Sequence, residues 1–176
     1  MTEPSIQVLL EPHLLPLISD FQPGVCPDMV MFSKWTTPLL RSHPACPPGK
    51  TYFELIQHGM DEWYASHGGV DSLDRLIASL PKMEKISLVD AVFSGRLKVL
   101  EWFHKTGRLA GIDFPLLSIA AWNGQLDIIR YLDNVNYPGC AGHAIKWATS
   151  KRHNDVVHYL HQNPRPPASC GCGRSE

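Results

Sequence analysis

The chain has 176 residues, 44% hydrophobic and 19% charged, with Lys+Arg 16 against Asp+Glu 17 for a formal charge of −1. That length fits one elongated domain, and balanced charge with no basic stripe argues against nucleic acid as a partner. No run approaches ~18 consecutive apolar residues, so no membrane span is expected.

The N-terminus carries Glu3 and no basic stretch, which gives no sign of a signal peptide. Five cysteines, Cys26, Cys46, Cys140, Cys170 and Cys172, make an odd number without framework spacing. Reduced thiols in cytoplasm or nucleus are the simpler reading. Residues 6–21 contain Val8, Leu9, Leu10, Leu14, Leu15, Leu17, Ile18 and Phe21. Pro12 and Pro16 interrupt a long helix, leaving one short amphipathic helix over about 13–21 that Pro23-Gly24 stops. Its expected role is a cap over the exposed apolar face of the first helical unit downstream. The run Leu14-Leu15-Pro16-Leu17-Ile18-Ser19-Asp20-Phe21 also loosely resembles an F-box helix, which would dock a ubiquitin-ligase adaptor.

Residues 34–51 are rich in proline and serine and read as a linker or surface loop. Pro47-Pro48-Gly49-Lys50-Thr51 contains the Gly-Lys-Thr of a phosphate-binding loop. The glycine required five residues earlier is Pro44, and the prolines remove amides that would wrap a phosphate. An ordinary loop is expected there.

The middle of the chain repeats itself. Ala91-Val92-Phe93-Ser94-Gly95-Arg96-Leu97-Lys98-Val99-Leu100-Glu101-Trp102-Phe103 returns as Ala120-Ala121-Trp122-Asn123-Gly124-Gln125-Leu126-Asp127-Ile128-Ile129-Arg130-Tyr131-Leu132. A third copy runs Ala148-Thr149-Ser150-Lys151-Arg152-His153-Asn154-Asp155-Val156-Val157-His158-Tyr159-Leu160. The leading alanines stand at 91, 120 and 148, and a near-constant period of this size marks stacked units. Each unit reads as two short helices. Leu97, Val99, Leu100 and Phe103 give the second helix an apolar face close to i, i+3, i+4, and Leu126, Ile128, Ile129 and Leu132 repeat it. Gly95 and Gly124 fall between the helices, where a tight turn needs φ > 0, and the third copy has Arg152 instead. One unit buries too little apolar surface to stand alone, so the units must stack. Tyr64 to Leu76 aligns as a degenerate earlier copy with Gly68 at the turn.

These copies resemble ankyrin repeats, whose pattern runs Leu-His-Leu-Ala-Ala-x-x-Gly-His-Leu-Glu-Ile-Val-x-x-Leu. Leu117 to Leu132 follows it, with Ser118 replacing the first histidine and Gln125 the second. The unit is shorter than the usual ~33 residues, and Pro115-Leu116 stands where Thr-Pro is usual. It is similar to the short-period ankyrin-like arrays of oomycetes and large DNA viruses. The resemblance implies an all-α solenoid of about four helical pairs with an N-terminal capping region. The organisation expected is residues 1–51 as helix and Pro-rich loop, 52–162 as the array, and 163–176 as a disordered tail with no polar cap closing the array after Leu160.

The family's concave groove is lined by the two residues before the turn glycine and the residue just before the Thr-Pro position. By resemblance these are Phe93, Ser94, Phe114, Trp122, Asn123, Ser150 and Lys151, with His143 nearby. Aromatic residues on a rigid concave face are typical binding anchors; the alternative is that Phe93 and Trp122 only cover the stack interface. The implied function is a non-catalytic, monomeric protein-interaction module that binds a protein partner, with no cofactor. The alternative is a ligase adaptor whose N-terminal helix recruits the ligase while the repeats select the target.

The remaining chemistry is sparse. His153, His158 and His161 with Cys170-Gly171-Cys172 lack a Cys-x-x-Cys knuckle, so solvated histidines and free thiols are expected rather than zinc. Asp90 falls where the second copy has Ile119, facing inward, and reads as a satisfied structural carboxylate. No nucleophile, base and orienter can be assembled around it, and no enzyme is expected.

Overall fold

A computed structural model describes residues 29–35, 50–66, 69–111 and 114–165. The expected helix over 13–21, its F-box-like run and Cys170-Gly171-Cys172 all lie outside the described residues. Helices are the regular elements among them: α1 (Val30–Ser33), α2 (Lys50–Ser66), α3 (Leu73–Ser79), α4 (Met83–Ser94), α5 (Leu97–Lys105), α6 (Leu116–Trp122), α7 (Leu126–Asn134), α8 (Ala141–Lys151) and α9 (Asn154–Gln162), with 3₁₀ turns at Gly69–Ser72 and Arg108–Gly111. No strand occurs among the described residues. Lys50 and Thr51, assigned from sequence to a loop, belong to α2.

The three motif copies fold as the pairs α4/α5, α6/α7 and α8/α9. First helices pack in the order α4, α6, α8, and second helices in the order α5, α7, α9. The turn inside each pair is nearly the same. Gly95, Gly124 and Arg152 take φ of 73°, 71° and 63°. The next residues, Arg96, Gln125 and His153, take φ/ψ of −80°/76°, −82°/77° and −83°/76°. Their backbone N–H groups donate to Ala91, Ala120 and Ala148 over 2.8, 2.9 and 2.9 Å. The leading alanines of the motif are therefore the acceptors that close each helix C-terminus. They are alanines because all three are fully buried, where neighbouring helices approach closely.

The turn glycines serve a second purpose. A Cβ on Gly124 would come within 2.6 Å of His153 Nδ1, and one on Gly95 within 2.9 Å of Gln125 Cδ. Each glycine leaves room for a side chain of the following unit. Arg152 takes the same backbone conformation, which costs a non-glycine residue roughly 1–2 kcal/mol.

Burial follows position in the stack. Every residue from Ile86 to Phe93 in α4, and every residue of α6, is buried. In α8 the positions of buried Ser118, Ala121 and Trp122 carry exposed Lys146, Thr149 and Ser150, and Asn154 stands exposed in place of Leu126. Among the described residues the face that α6 buries is thus polar and exposed in α8. Arg165, in the segment read as a tail, pairs with Asp133 and donates to the Tyr137 carbonyl at 3.0 Å.

The earlier, degenerate unit is only half as expected. Gly68 lies outside the described residues, while Gly69 takes φ +71°. Helix α3 buries Leu73, Leu76 and Ile77. Helix α2 departs from the pattern, with 17 residues and a buried stripe of Phe53, Ile56, Met60 and Trp63. It reaches two units: Asp61 and Tyr64 meet Arg96, and Phe53 meets both Phe93 and Trp122. Ahead of it, Met29 and Phe32 are buried, and Phe32 lies edge-on to Trp35 and Trp63. Lys82 Nζ donates to the carbonyls of Ser33 and Trp35 over 2.5 and 2.7 Å, tying α1 to the array.

Gly107 also has positive φ (73°), but a Cβ there meets nothing within 4 Å. Gly107→Ala should therefore cost only the ~1 kcal/mol of left-handed backbone. Gly124→Ala should cost ~1–3 kcal/mol more, because the added methyl meets the stiff His153 ring down to its Cγ. Gly95→Ala should fall between the two, because it meets only the end of the flexible Gln125 side chain, which can swing aside at the loss of its bond to the Phe93 carbonyl. Arg152→Gly should be stabilising by up to ~1 kcal/mol. Urea denaturation of the four variants checks the order, and equal losses at Gly124 and Gly107 would refute the steric part.

Candidate partner-binding surface

The residues assigned to a concave groove do not all reach solvent. Phe93 is 3% and Trp122 8% exposed. Phe53 from α2 lies flat on Phe93, with ring centroids 4.7 Å apart and planes 9° apart. It also touches Trp122 at 5.7 Å, and Trp122 lies 5.8 Å from Phe93. The pair expected as exposed anchors is thus the floor of a three-ring cluster closed by α2. Aromatic contacts at these separations are favourable beyond the area they bury.

The other assigned residues divide into two sets. Ser150 and Lys151 are exposed. Lys151 Nζ stands 5.3 Å from the Trp122 ring centroid, a cation–π contact that fixes a positive charge at the cluster's edge. Ser94, Asn123, Phe114 and His143 are half-buried. Ser94 is turned to Asp90 over 3.0 Å, and Asn123 donates to the Phe93 carbonyl over 2.6 Å. Phe114 gives its carbonyl to the Tyr137 hydroxyl, and His143 gives its backbone N–H to Cys140 Sγ. Phe114 and His143 are not placed in the aromatic cluster.

The residue after each turn glycine reaches back one unit. Gln125 Nε2 donates to the Phe93 carbonyl over 3.0 Å, and His153 Nε2 to the Trp122 carbonyl over 3.2 Å. A carbonyl can only accept, so the second bond selects the His153 tautomer protonated at Nε2. Arg96 occupies the same register position. Its guanidinium lies 5.1 Å over the Tyr64 ring and pairs with Asp61 at 2.6 Å. A second link joins the outer helices: His104 hydrogen-bonds the Tyr131 hydroxyl at 2.9 Å. Trp102, Tyr131 and Tyr159 stand one per unit at one register position. The repeat alignment itself carried that signal. Phe53 carried less: helical periodicity marks it as buried, but not what it lies against.

Asp90 faces inward as expected. Its carboxylate accepts from Ser94 Oγ and from Arg96 Nε at 2.9 Å. Burial pushes its carboxyl up to about 6, against the pull of Arg96 and its hydrogen bonds. The Tyr64 hydroxyl nearby is buried without a hydrogen-bond partner. Burial, and then the Asp90 charge, raise its phenol above the usual range. No group of three His, Cys, Asp or Glu able to hold a metal occurs among the described residues, and His158 and His161 are exposed on α9.

The sign of the pH effect follows from Asp90. Its folded pKa lies above its unfolded value, so the folded chain holds more protons between the two. The stabilisation is complete at acid pH and is lost as pH rises through about 6. Asp90→Asn removes this titration. Wild-type stability minus that of Asp90→Asn should fall between about pH 4 and pH 7, by at most ~3 kcal/mol. Paired denaturation curves across that range test it, and a flat or rising difference would sink the assignment.

Comparison of the chain with protein-family models, with curated proteins and with solved structures finds no match.

Proposed function

We propose that the chain is a non-catalytic interaction module, an ankyrin-like scaffold that holds a protein partner against the inner turn edge of its helix pairs. The observation that carries this reading is the pairing of constant backbone with varied side chains. Three turns share φ/ψ to within a few degrees at the residue after the turn. At the same register the side chains change from Phe93 to Trp122 to Ser150, and from Ser94 to Asn123 to Lys151. A rigid edge whose side chains vary is suited to recognition, because little freedom remains to be lost on binding.

The partner class is protein. With a net charge of −1 the chain has no general attraction for nucleic acid. No helix among the described residues is long and apolar enough to cross a membrane. The chain acts as a monomer in cytoplasm or nucleus in this reading, without a cofactor. Contact begins at the exposed rim, Ser150 and Lys151, with Asn123 and Ser94 beside it.

Buried Phe93 and Trp122 are poor test positions, since truncating either should cost ~3–5 kcal/mol and unfold much of the chain. The rim is safer. The double variant Ser150→Arg/Lys151→Glu should stay folded, with a loss of only ~1 kcal/mol from the cation–π contact and the helix-end charge, and lose partners crosslinked in the native cell. Partners retained by that folded variant would remove the inner edge from consideration.

A further inference from the structure

We propose that residues 13–21, upstream of the described residues, dock back on their own chain, on the apolar patch that Met31, Trp35 and Leu55 form around Gly59. Among the described residues the exposed large hydrophobics are Val30, Met31 and Leu55, at 44%, 41% and 59%. All three belong to α1 and α2, ahead of the repeating units. Apolar side chains exposed singly are ordinary, whereas neighbouring ones mark a surface that is covered in use. Gly59 brings them together. A Cβ there would lie 3.2 Å from Met31 Cε and 2.7 Å from the half-buried Trp35 ring, so both side chains rest on the backbone of α2. Leu55 precedes Gly59 by one turn and shares its face of the helix. Val30 adjoins Met31 in sequence.

Residues 13–21 match this patch in pattern and in reach. Leu14, Ile18 and Phe21 fall at i, i+4 and i+7, with Leu17 beside them, which is the spacing of one apolar helix face. A helix of that length measures ~13 Å, enough to lie across Met31 and Leu55 together. Residues 22–28 join Phe21 to Met29 and span up to ~25 Å when extended. Met29 is fully buried, so the chain leaves the fold directly beside Val30 and Met31. So short a tether holds the segment near the patch at an effective concentration of order millimolar. A contact of a few side chains, too small to hold a separate protein, is sufficient within one chain. The surface covered belongs to α1 and α2 and not to the first repeating unit. The apolar stripe is then used inside the molecule and is not free to dock a ligase adaptor. The inference stands apart from the partner reading of the inner edge.

Photo-crosslinking of the full chain tests it, with p-benzoylphenylalanine incorporated at position 55, an exposed site that tolerates the change. An equal mixture of isotopically light and heavy protein separates crosslinks within a chain from those between chains. Peptide mass spectrometry should find crosslinks within one chain, to residues 13–21. Crosslinks confined to residues 36–49, crosslinks between chains, or a folded protein with no crosslink to 13–21 overturn the proposal. Stability gives a second reading. Ile18→Asp and Leu55→Asp should each lower the urea midpoint of the full chain. The double variant should lower it by less than the sum of the two shifts, because either charge alone lifts the segment from the patch. Additive shifts, or an Ile18→Asp variant with the wild-type midpoint, overturn the proposal as well. Neither substitution touches Ser150 or Lys151, so these outcomes are separate from those of the rim variant.

Discussion

The left-handed turn between the two helices of each unit is the constraint from which the rest of the stack follows. It lets the chain reverse in two or three residues, so that a first helix and a second helix can pair over a short distance. It also places the N–H of the next residue against the carbonyl of the leading alanine. Because Gly95 and Gly124 have no Cβ, the following unit can lay Gln125 and His153 across them. One residue type thus satisfies a local dihedral requirement and a long-range packing requirement together.

Those same side chains explain why the units depend on one another. The last carbonyls of a helix have no partner inside it. In α4 and α6 the Phe93 and Trp122 carbonyls are among these, and each accepts from the unit that follows. Stacking therefore supplies a polar cap as well as apolar burial, and a missing neighbour would leave buried acceptors exposed or unpaired. Between the outer helices His104 and Tyr131 form a similar link. In the third unit the corresponding positions are the exposed and polar Lys146, Thr149 and Ser150.

The junction between α2 and the array is held by different means. It combines the Phe53–Phe93–Trp122 cluster with a charged bridge through Arg96. The cluster gains from burial, whereas the buried Asp90 carboxylate resists ionisation despite its partners. Buried ion pairs often add little net stability, because desolvation offsets attraction. Here the bridge fixes where α2 sits, and the Asp61 end remains half open to water, where charge is screened. The position of α2 decides that Phe93 and Trp122 are covered by Phe53.

The repeat, its helix pairs, the turn positions and the inward direction of Asp90 were all legible in the residues. Each depends on spacing along the chain and on local dihedral preference, which a sequence states directly. The alignment also named the inner-edge positions, Phe93 with Trp122 and Ser94 with Asn123. Whether they are open to solvent was not legible there. That depends on Phe53, forty residues before Phe93 and outside the repeating pattern, and on the path of α2 across two units. Helical periodicity marks Phe53 as inward-facing, but only tertiary packing chose its partners. The same limit held for Arg96, whose equivalents bind backbone carbonyls while it binds carboxylates and a tyrosine ring. Sequence determined the unit and its period because those are local. Tertiary structure decided which surface is free, because that depends on contacts between segments whose separation follows no repeat.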